Sequence, residues 1–546
     1  MSSIRQQIRV MAPMRDGVRL ACDIRLPAGD GPFPAVLRRT PYNKAIPITD
    51  PVMRGFIGAG FAHVVQDGRG THESEGTYTP WRQDIDDGYD TVAWVASQPW
   101  CDGRVVMSGA SYCGWTQLAA LSTAPPALKA IAPAMIGSDG YLDMIYPGGA
   151  PSTGLLWWCI NNDGPSQRSE LSDNWLRIFS TLPIRRMDEA VGCPSPIMQS
   201  WLDHPTRDAF WTGVDLTAGG AATAGALLIG GWFDPFVGGI LRAYNRLAVH
   251  RRTTDGGPIR LLVGPWPHST DAPPALGDMD FGPSSRVDLI AEQLAFYRTC
   301  LDGGDPSTPP VRVFMMGANE WRHEDAWPPA RMAPTPWYLG CRRAANSLHG
   351  DGTLTPAPTA GRPADHYTYD PMAPAPTLGG ATLLPEDPAG PVDRRPVERR
   401  DDVLCYTSAP LEAPLEITGD VALELYISSS APDTDFIGHL CDVEPNGRSL
   451  VLCDGILRAR YREGFDKAVP LAADEIVKLS FPIGVTAHRF RPGHRIRLEV
   501  ASSCFPKYAR NLNTGGDIAD ECDPVVVEQS VHHSAAYPSR VLLPVV

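Results

Sequence analysis

Residues 104–121 read Arg104-Val105-Val106-Met107-Ser108-Gly109-Ala110-Ser111-Tyr112-Cys113-Gly114-Trp115-Thr116-Gln117-Leu118-Ala119-Ala120-Leu121. An apolar run, a glycine, one serine and then a helix-forming run describe a strand that turns sharply into a helix. A serine on such a turn is held with its hydroxyl exposed, and the backbone N–H that follows it, that of Tyr112, points toward the carbonyl oxygen the serine would attack. Small neighbours are needed because the turn crowds its flanks. The second glycine of the usual G-x-S-x-G pattern is Cys113 here, with Gly114 one place later, so the stretch alone is also compatible with an ordinary tight turn.

A nucleophilic serine needs a base, and the base needs a carboxylate to orient it. In α/β-hydrolases these follow in the order Ser, Asp, His, each just past a strand end. Asp234 follows the strand-like run 226–233 and His268 follows the run 259–267, so both stand where that order requires. Each alone reads as a helix cap or a surface residue; together with Ser111 they read as a catalytic triad.

Working outward, residues 8–14 and 18–26 flank Asp16-Gly17, a hairpin signature. Residues 34–38, 61–65, 105–108 and 130–134 are short apolar runs of a sheet buried on both faces. Ile85, Tyr89, Val92 and Val95 recur at helical spacing between them. The alternation predicts a mixed, mostly parallel α/β sheet. Strand signals fade over 146–216, where Trp157, Trp158 and Trp175 sit in helix-like stretches, and resume at 226–229 and 259–263. A proline-rich run, 327–334, precedes alternating strands such as 421–427, 476–481 and 496–500, the pattern of an all-β sandwich or jelly roll. The expected division is an α/β-hydrolase core over 1–144 and 223–330, a helical cap insertion over 145–222, and a β domain over 331–546.

A chain of 546 residues with net charge -14 is long enough for several domains and is a poor partner for nucleic acid phosphates or an anionic membrane. The first residues lack the apolar run of a secretory signal, and no segment approaches a membrane span. The twelve cysteines show no C-x-x-C pair, which predicts small buried thiols in a reducing cytoplasm. No His, Glu and Cys grouping resembles a zinc site, and the chemistry needs no metal or organic cofactor.

Several stretches resemble the cocaine-esterase and X-prolyl dipeptidyl-peptidase family of serine hydrolases, which includes α-amino acid ester hydrolases. They are Thr40-Pro41-Tyr42, Gln66-Asp67-Gly68-Arg69-Gly70, Pro99-Trp100-Cys101-Asp102-Gly103, the serine turn itself, Gly231-Trp232-Phe233-Asp234, Gly264-Pro265-Trp266-Pro267-His268-Ser269, Asp433-Thr434-Asp435-Phe436 and Ser502-Ser503-Cys504-Phe505-Pro506. The resemblance implies an α/β-hydrolase core, a helical cap inserted after the sixth strand and a C-terminal jelly roll. It also implies that Tyr42 donates its hydroxyl to the oxyanion beside the Tyr112 N–H. Asp67 and Arg69 read as a structural turn pair.

Within the resembled family, α-amino acid ester hydrolases carry acidic residues two and three places after the catalytic Asp, where this chain has Phe236 and Val237. The cocaine-esterase branch has an aromatic residue at the first of these places, which with cap tryptophans lines an acyl pocket. Phe236, Trp157 and Trp158 fit that arrangement, although core packing accounts equally well for the tryptophans. The expectation is an ester hydrolase acting on a small molecule with a neutral aromatic or aliphatic acyl group. An acylase or amidase, an X-prolyl aminopeptidase and a non-catalytic binding protein are the alternatives. Asp163 or Asp173 could supply a counter-charge from the cap, and either a monomer or a homodimer is compatible with the sequence.

Overall fold

The structure is a computed structural model and describes residues 5–46, 50–164, 175–216, 223–269, 271–304, 308–359, 361–384 and 388–546. The Asp16-Gly17 turn joins β1 (Arg5–Pro13) to β2 (Arg19–Leu26), with Gly17 at φ 87° and its N–H donating to the Met14 carbonyl. Next come β3 (Phe33–Thr40), α1 (Pro51–Gly58), β4 (Ala62–Asp67), α2 (Asp84–Ala96), β5 (Cys101–Ala110), α3 (Tyr112–Ser122) and β6 (Leu128–Ala134).

After β6 the chain leaves the sheet. The described residues of 140–216 include short helices, among them α4 (Thr153–Asn162), α5 (Trp175–Phe179), α6 (Pro196–Leu202) and α7 (Ala209–Thr212). The sheet resumes with β7 (Gly225–Phe233), α8 (Val237–Arg251) and β8 (Ile259–Pro267). A two-stranded hairpin, β9 (Ala275–Leu276) and β10 (Met279–Asp280), precedes α9 (Leu289–Asp302), β11 (Val311–Met315) and β12 (Glu320–Glu324).

Among the described residues ten strands form one sheet in the order β1-β2-β4-β3-β5-β6-β7-β8-β11-β12. From β4 to β11 every pairing is parallel. The C-terminal ends of β5, β7 and β8 therefore lie on one edge, which brings the residues after them together. The edge strands β11 and β12 were not anticipated from the sequence, although Val311-Arg312-Val313 alternates as a strand should.

The proline-rich run leads into an all-β domain of β13 (Ala333–Gly340), β14 (Thr353–Thr355), β15 (Ala364–Tyr369), β16 (Leu404–Thr407), β17 (Leu415–Ser429), β18 (Asp435–Val443), β19 (Ser449–Arg458), β20 (Val477–Phe490), β21 (Arg495–Ala501), β22 (Val527–His532) and β23 (Arg540–Val545). Its own core is built from Leu423, Leu425, Ile427, Leu498 and Val500, all fully buried. The two sheets meet where Met316 bridges His488 on β20, its N–H donating to the Ala487 carbonyl.

Asp433 and Asp435 explain their stretch physically. Asp435 pairs with Arg458 at 2.8 Å and Asp433 with Arg460 at 2.7 Å, and Asn511 donates to both carboxylates. These buried pairs fix the end of β19 and the turn after it, against which the cap docks. Gly148, at φ 59°, lies so close to the Ile456 carbonyl that a Cβ would collide with it, and the Tyr461 hydroxyl donates to Pro205 of the cap at 2.9 Å. Removing one member of a buried pair strands the other charge. Asp435→Ala should therefore destabilise the protein by about 3–5 kcal/mol, measured by urea unfolding. A loss below about 1 kcal/mol would show that Arg458 finds another partner.

Candidate active site

Ser111 sits between β5 and α3 with φ 57° and ψ -130°, a conformation that costs an L-residue energy and recurs at catalytic turns. The neighbourhood holds it there. Its N–H donates to Ala134 of β6 at 2.9 Å, and its carbonyl accepts from Gly114 and Trp115 at 2.7 and 3.1 Å. Gly109, at φ 140°, would press a Cβ into that of Cys113, which explains why this flank must be glycine.

The next residue is clamped as well. The Tyr112 hydroxyl donates to Asp84 at 2.6 Å and accepts from the Trp81 N–H at 2.8 Å. Asp84 is paired with Arg39 at 3.1 Å, and all three side chains are buried. This fixes the start of α3 and hence the direction of the Tyr112 N–H.

Asp234 and His268 follow β7 and β8. His268 Nδ1 lies 2.9 Å from Asp234 Oδ1, which also accepts from the Phe236 N–H at 3.3 Å. A carboxylate can only accept, so Nδ1 carries the proton and the Nε2 lone pair is left free. Asp234 is fully buried while His268 is about one fifth exposed, so the pair is anchored inside and open at its reactive end. Asp234 Oδ2 has no hydrogen-bond partner.

Tyr42 follows β3, its N–H donating to Thr40 Oγ1 at 3.0 Å. The Trp158 indole N–H donates to the Tyr42 oxygen at 3.1 Å. An indole has no acceptor, so the single Tyr42 proton is free to point elsewhere. Burial pushes the Tyr42 phenol up to about 12, while donors at Ser111, Trp158 and the Tyr112 N–H pull the other way. The phenol is thus a neutral donor beside Ser111 and the Tyr112 N–H.

Trp158 itself is stacked on Tyr112 (5.8 Å between centroids) and on Trp81 (6.3 Å), which stacks in turn on Trp201 (4.9 Å). The other cap tryptophan is placed differently: Trp157 packs edge-on against Phe179, in contact with the cap. Phe236 packs edge-on against His268 at 5.3 Å. Asp163 is committed within the cap, accepting from Ser195 Oγ at 2.7 Å and from the Ile197 N–H, while Asp173 lies outside the described residues.

Asp67 and Arg69 do not form the expected pair with one another. Asp67 accepts from the Lys44 N–H and steadies the loop that carries Tyr42, whereas Arg69 binds Asp87 and Asp16. Both remain structural, because the turn between them points the two side chains to different partners. The Trp158–Tyr42 hydrogen bond and the Asp84 clamp had no local signal in the sequence.

A strained serine and a hydrogen-bonded Asp–His pair, all on one edge of a parallel sheet, form the arrangement of an α/β-hydrolase. Comparison with known proteins agrees. Residues 16–270 match the X-Pro dipeptidyl-peptidase (S15 family) model, and residues 305–542 match that of the X-Pro dipeptidyl-peptidase C-terminal non-catalytic domain. The chain is 41% identical to the cocaine esterase of Rhodococcus sp. (strain MB1 Bresler), over 98% of both chains. Among solved structures, an α-amino acid ester hydrolase superposes with TM-score 0.87 at 27% identity, covering 100% of this chain and 97% of that one. An aminopeptidase from a marine sediment archaeon, Thaumarchaeota archaeon, superposes with TM-score 0.86 at 27% identity, covering 100% and 96%.

The chain belongs to the cocaine-esterase and X-Pro dipeptidyl-peptidase family and is a serine ester hydrolase. All twelve cysteines are free thiols, most of them buried. Among the described residues no helix is long and apolar enough to cross a membrane.

A fluorophosphonate should form a single adduct, on Ser111, and Ser111→Ala should lower kcat by roughly 10⁴ to 10⁶ while leaving the unfolding midpoint in place. Peptide mass mapping that finds the adduct on another serine would move the nucleophile.

Proposed function

We propose that Ser111, His268 and Asp234 act as a triad that cleaves a carboxylic ester through an acyl-enzyme, with Tyr42 and the Tyr112 N–H as the oxyanion donors. The body 1–144 and 223–330 carries the chemistry, the segment 145–222 covers it and 331–546 completes the walls. His268 Nε2 takes the Ser111 proton as the hydroxyl attacks, and Asp234 stabilises the imidazolium that forms. The oxyanion is met by the Tyr42 hydroxyl, which the Trp158 N–H leaves free to donate, and by the Tyr112 N–H. His268 returns the proton to the leaving alcohol, and water repeats the sequence.

The observation that carries this reading is the His268–Asp234 hydrogen bond on the same sheet edge as Ser111, with the Tyr42 phenol beside that serine. The acyl group is neutral in this reading. Phe236 and Val237 are apolar where an α-ammonium would need a carboxylate, and Asp163 is already occupied within the cap. The substrate is a small molecule, and the free thiols fit a reducing compartment such as the cytoplasm. Comparing an ester with its matched amide separates this reading from the aminopeptidase and acylase alternatives.

Tyr42→Phe keeps the ring and removes one donor, so kcat should fall by about 10² to 10³ with little change in KM. Trp158→Phe keeps the aromatic stack and releases the phenol, costing roughly three- to tenfold in kcat. Because the raised phenol stays protonated below about 12, kcat/KM of the parent should show no alkaline loss from Tyr42 up to about pH 10. Retention of more than about a third of kcat in Tyr42→Phe would make Tyr42 structural.

For the acyl group, a phenylacetyl ester should be hydrolysed faster than the matched phenylglycyl ester at a pH where the amine is charged. An unpaired ammonium desolvated against Phe236 costs several kcal/mol. Steady-state kcat/KM for the two esters checks this, and preference for the ammonium ester would overturn the neutral-acyl reading.

A further inference from the structure

Cys341 just past β13, Asp365 on β15 and His533 just past β22 bring a thiol, a carboxylate and an imidazole together in the β domain, all three buried. Cys341 Sγ lies 3.1 Å from Asp365 Oδ1 and 3.8 Å from His533 Nε2, which is 2.9 Å from Asp365 Oδ2. Around a tetrahedral zinc with bonds of about 2.0 to 2.3 Å, neighbouring ligand atoms stand about 3.3 to 3.6 Å apart. Shifts of a few tenths of an ångström convert one arrangement into the other.

The backbone under these groups is fixed. The Cys341 carbonyl accepts from the Arg362 N–H at 3.1 Å, and the His533 N–H donates to the Pro363 carbonyl at 2.9 Å. Asp365 is oriented by the Ala345 N–H on Oδ1 and by the Tyr406 hydroxyl on Oδ2, each at 2.9 Å, the kind of outer hydrogen bond that steers a ligating carboxylate. Among the described residues no lysine or arginine pairs with Asp365. A second buried grouping, Glu398, Cys441 and Glu499, differs on this point, because Arg497 and Arg394 already neutralise its carboxylates. A divalent ion held by a thiolate, a carboxylate and a neutral imidazole sums to zero charge, which suits a site closed to water.

We propose that Cys341, Asp365 and His533 form a structural site for a divalent metal ion of the zinc class, tying the end of β13 to the β15–β22 pair, which is not its neighbour in the sheet. Three protein ligands leave one corner of the tetrahedron to a water molecule or to the second Asp365 oxygen. Without the metal, burial and the Asp365 carboxylate push the Cys341 thiol up to about 12, so binding releases that proton and weakens as pH falls. The role is structural and lies outside the ester chemistry. Separations of 24 and 168 residues leave no local motif, which is why the sequence shows no zinc spacing.

The test uses the full-length protein, dialysed against a chelator and then given zinc or cobalt(II). After gel filtration it should retain about one zinc per chain by elemental analysis, and its unfolding midpoint should rise with zinc. The cobalt form should show a thiolate-to-cobalt charge-transfer band in the near ultraviolet. Cys341→Ser should abolish that band and weaken zinc binding by about a hundredfold or more, and His533→Gln should weaken binding similarly. Cys522→Ser, which removes the exposed thiol, should change neither. Phenylacetyl ester hydrolysis should be unchanged in each variant and so reports its folding, with Cys341→Ala as the substitute if Cys341→Ser does not fold. Failure of the parent to retain zinc would leave the three side chains a hydrogen-bonded cluster only, and zinc retained undiminished in both Cys341→Ser and His533→Gln would place the metal elsewhere. Either outcome overturns the proposal.

Discussion

The left-handed backbone at Ser111 has to be held from outside, because an L-residue gains nothing by adopting φ 57°. Three separate devices hold it. The Ala134 carbonyl takes the Ser111 N–H from the neighbouring strand, Gly109 lets the turn close on Cys113, and Asp84 with Arg39 grips the side chain of the following residue. The last is the most telling, since burying an ion pair has no value for stability as such. Here it ties α2 and β3 to the first turn of α3, so that the direction of the Tyr112 N–H follows from packing over three elements rather than from one rotamer.

The cap is coupled to this turn by the same logic. Trp158 stacks on Tyr112 and gives its N–H to Tyr42, so one cap side chain touches the residues on either side of the serine hydroxyl. The polarity of that hydrogen bond matters more than its strength. Were the partner a serine or a histidine, the Tyr42 proton could be drawn toward it; an indole removes that choice. The segment carrying Trp158 is therefore packed directly onto the residues around the serine.

What could be read in the sequence was whatever leaves a local pattern. Ser111 stands out because a strand, two flanking small residues and a helix lie within eighteen positions, and Asp234 and His268 because each ends an apolar run in a fixed order. The hairpin at Asp16-Gly17 and the alternation in β17, β20 and β21 were legible for the same reason. Contacts between distant positions were not. Trp158 and Tyr42 are 116 residues apart, and neither indole nor phenol signals its partner. Asp163 looked available as a counter-charge because its acceptor role toward Ser195 depends on how the cap folds. Trp157 and Trp158 were indistinguishable as adjacent letters, yet successive helical side chains point about 100° apart, and one turns to Tyr42 while the other meets Phe179.

The β domain is joined to the chemistry through charge neutralisation at a distance from the serine. The Asp435–Arg458 and Asp433–Arg460 pairs satisfy the end of β19, and that end presents the Ile456 carbonyl and Tyr461 to the cap. A neighbouring stretch presents Asp454, with Lys507 to match it. The charges at that end of the domain are thus paired.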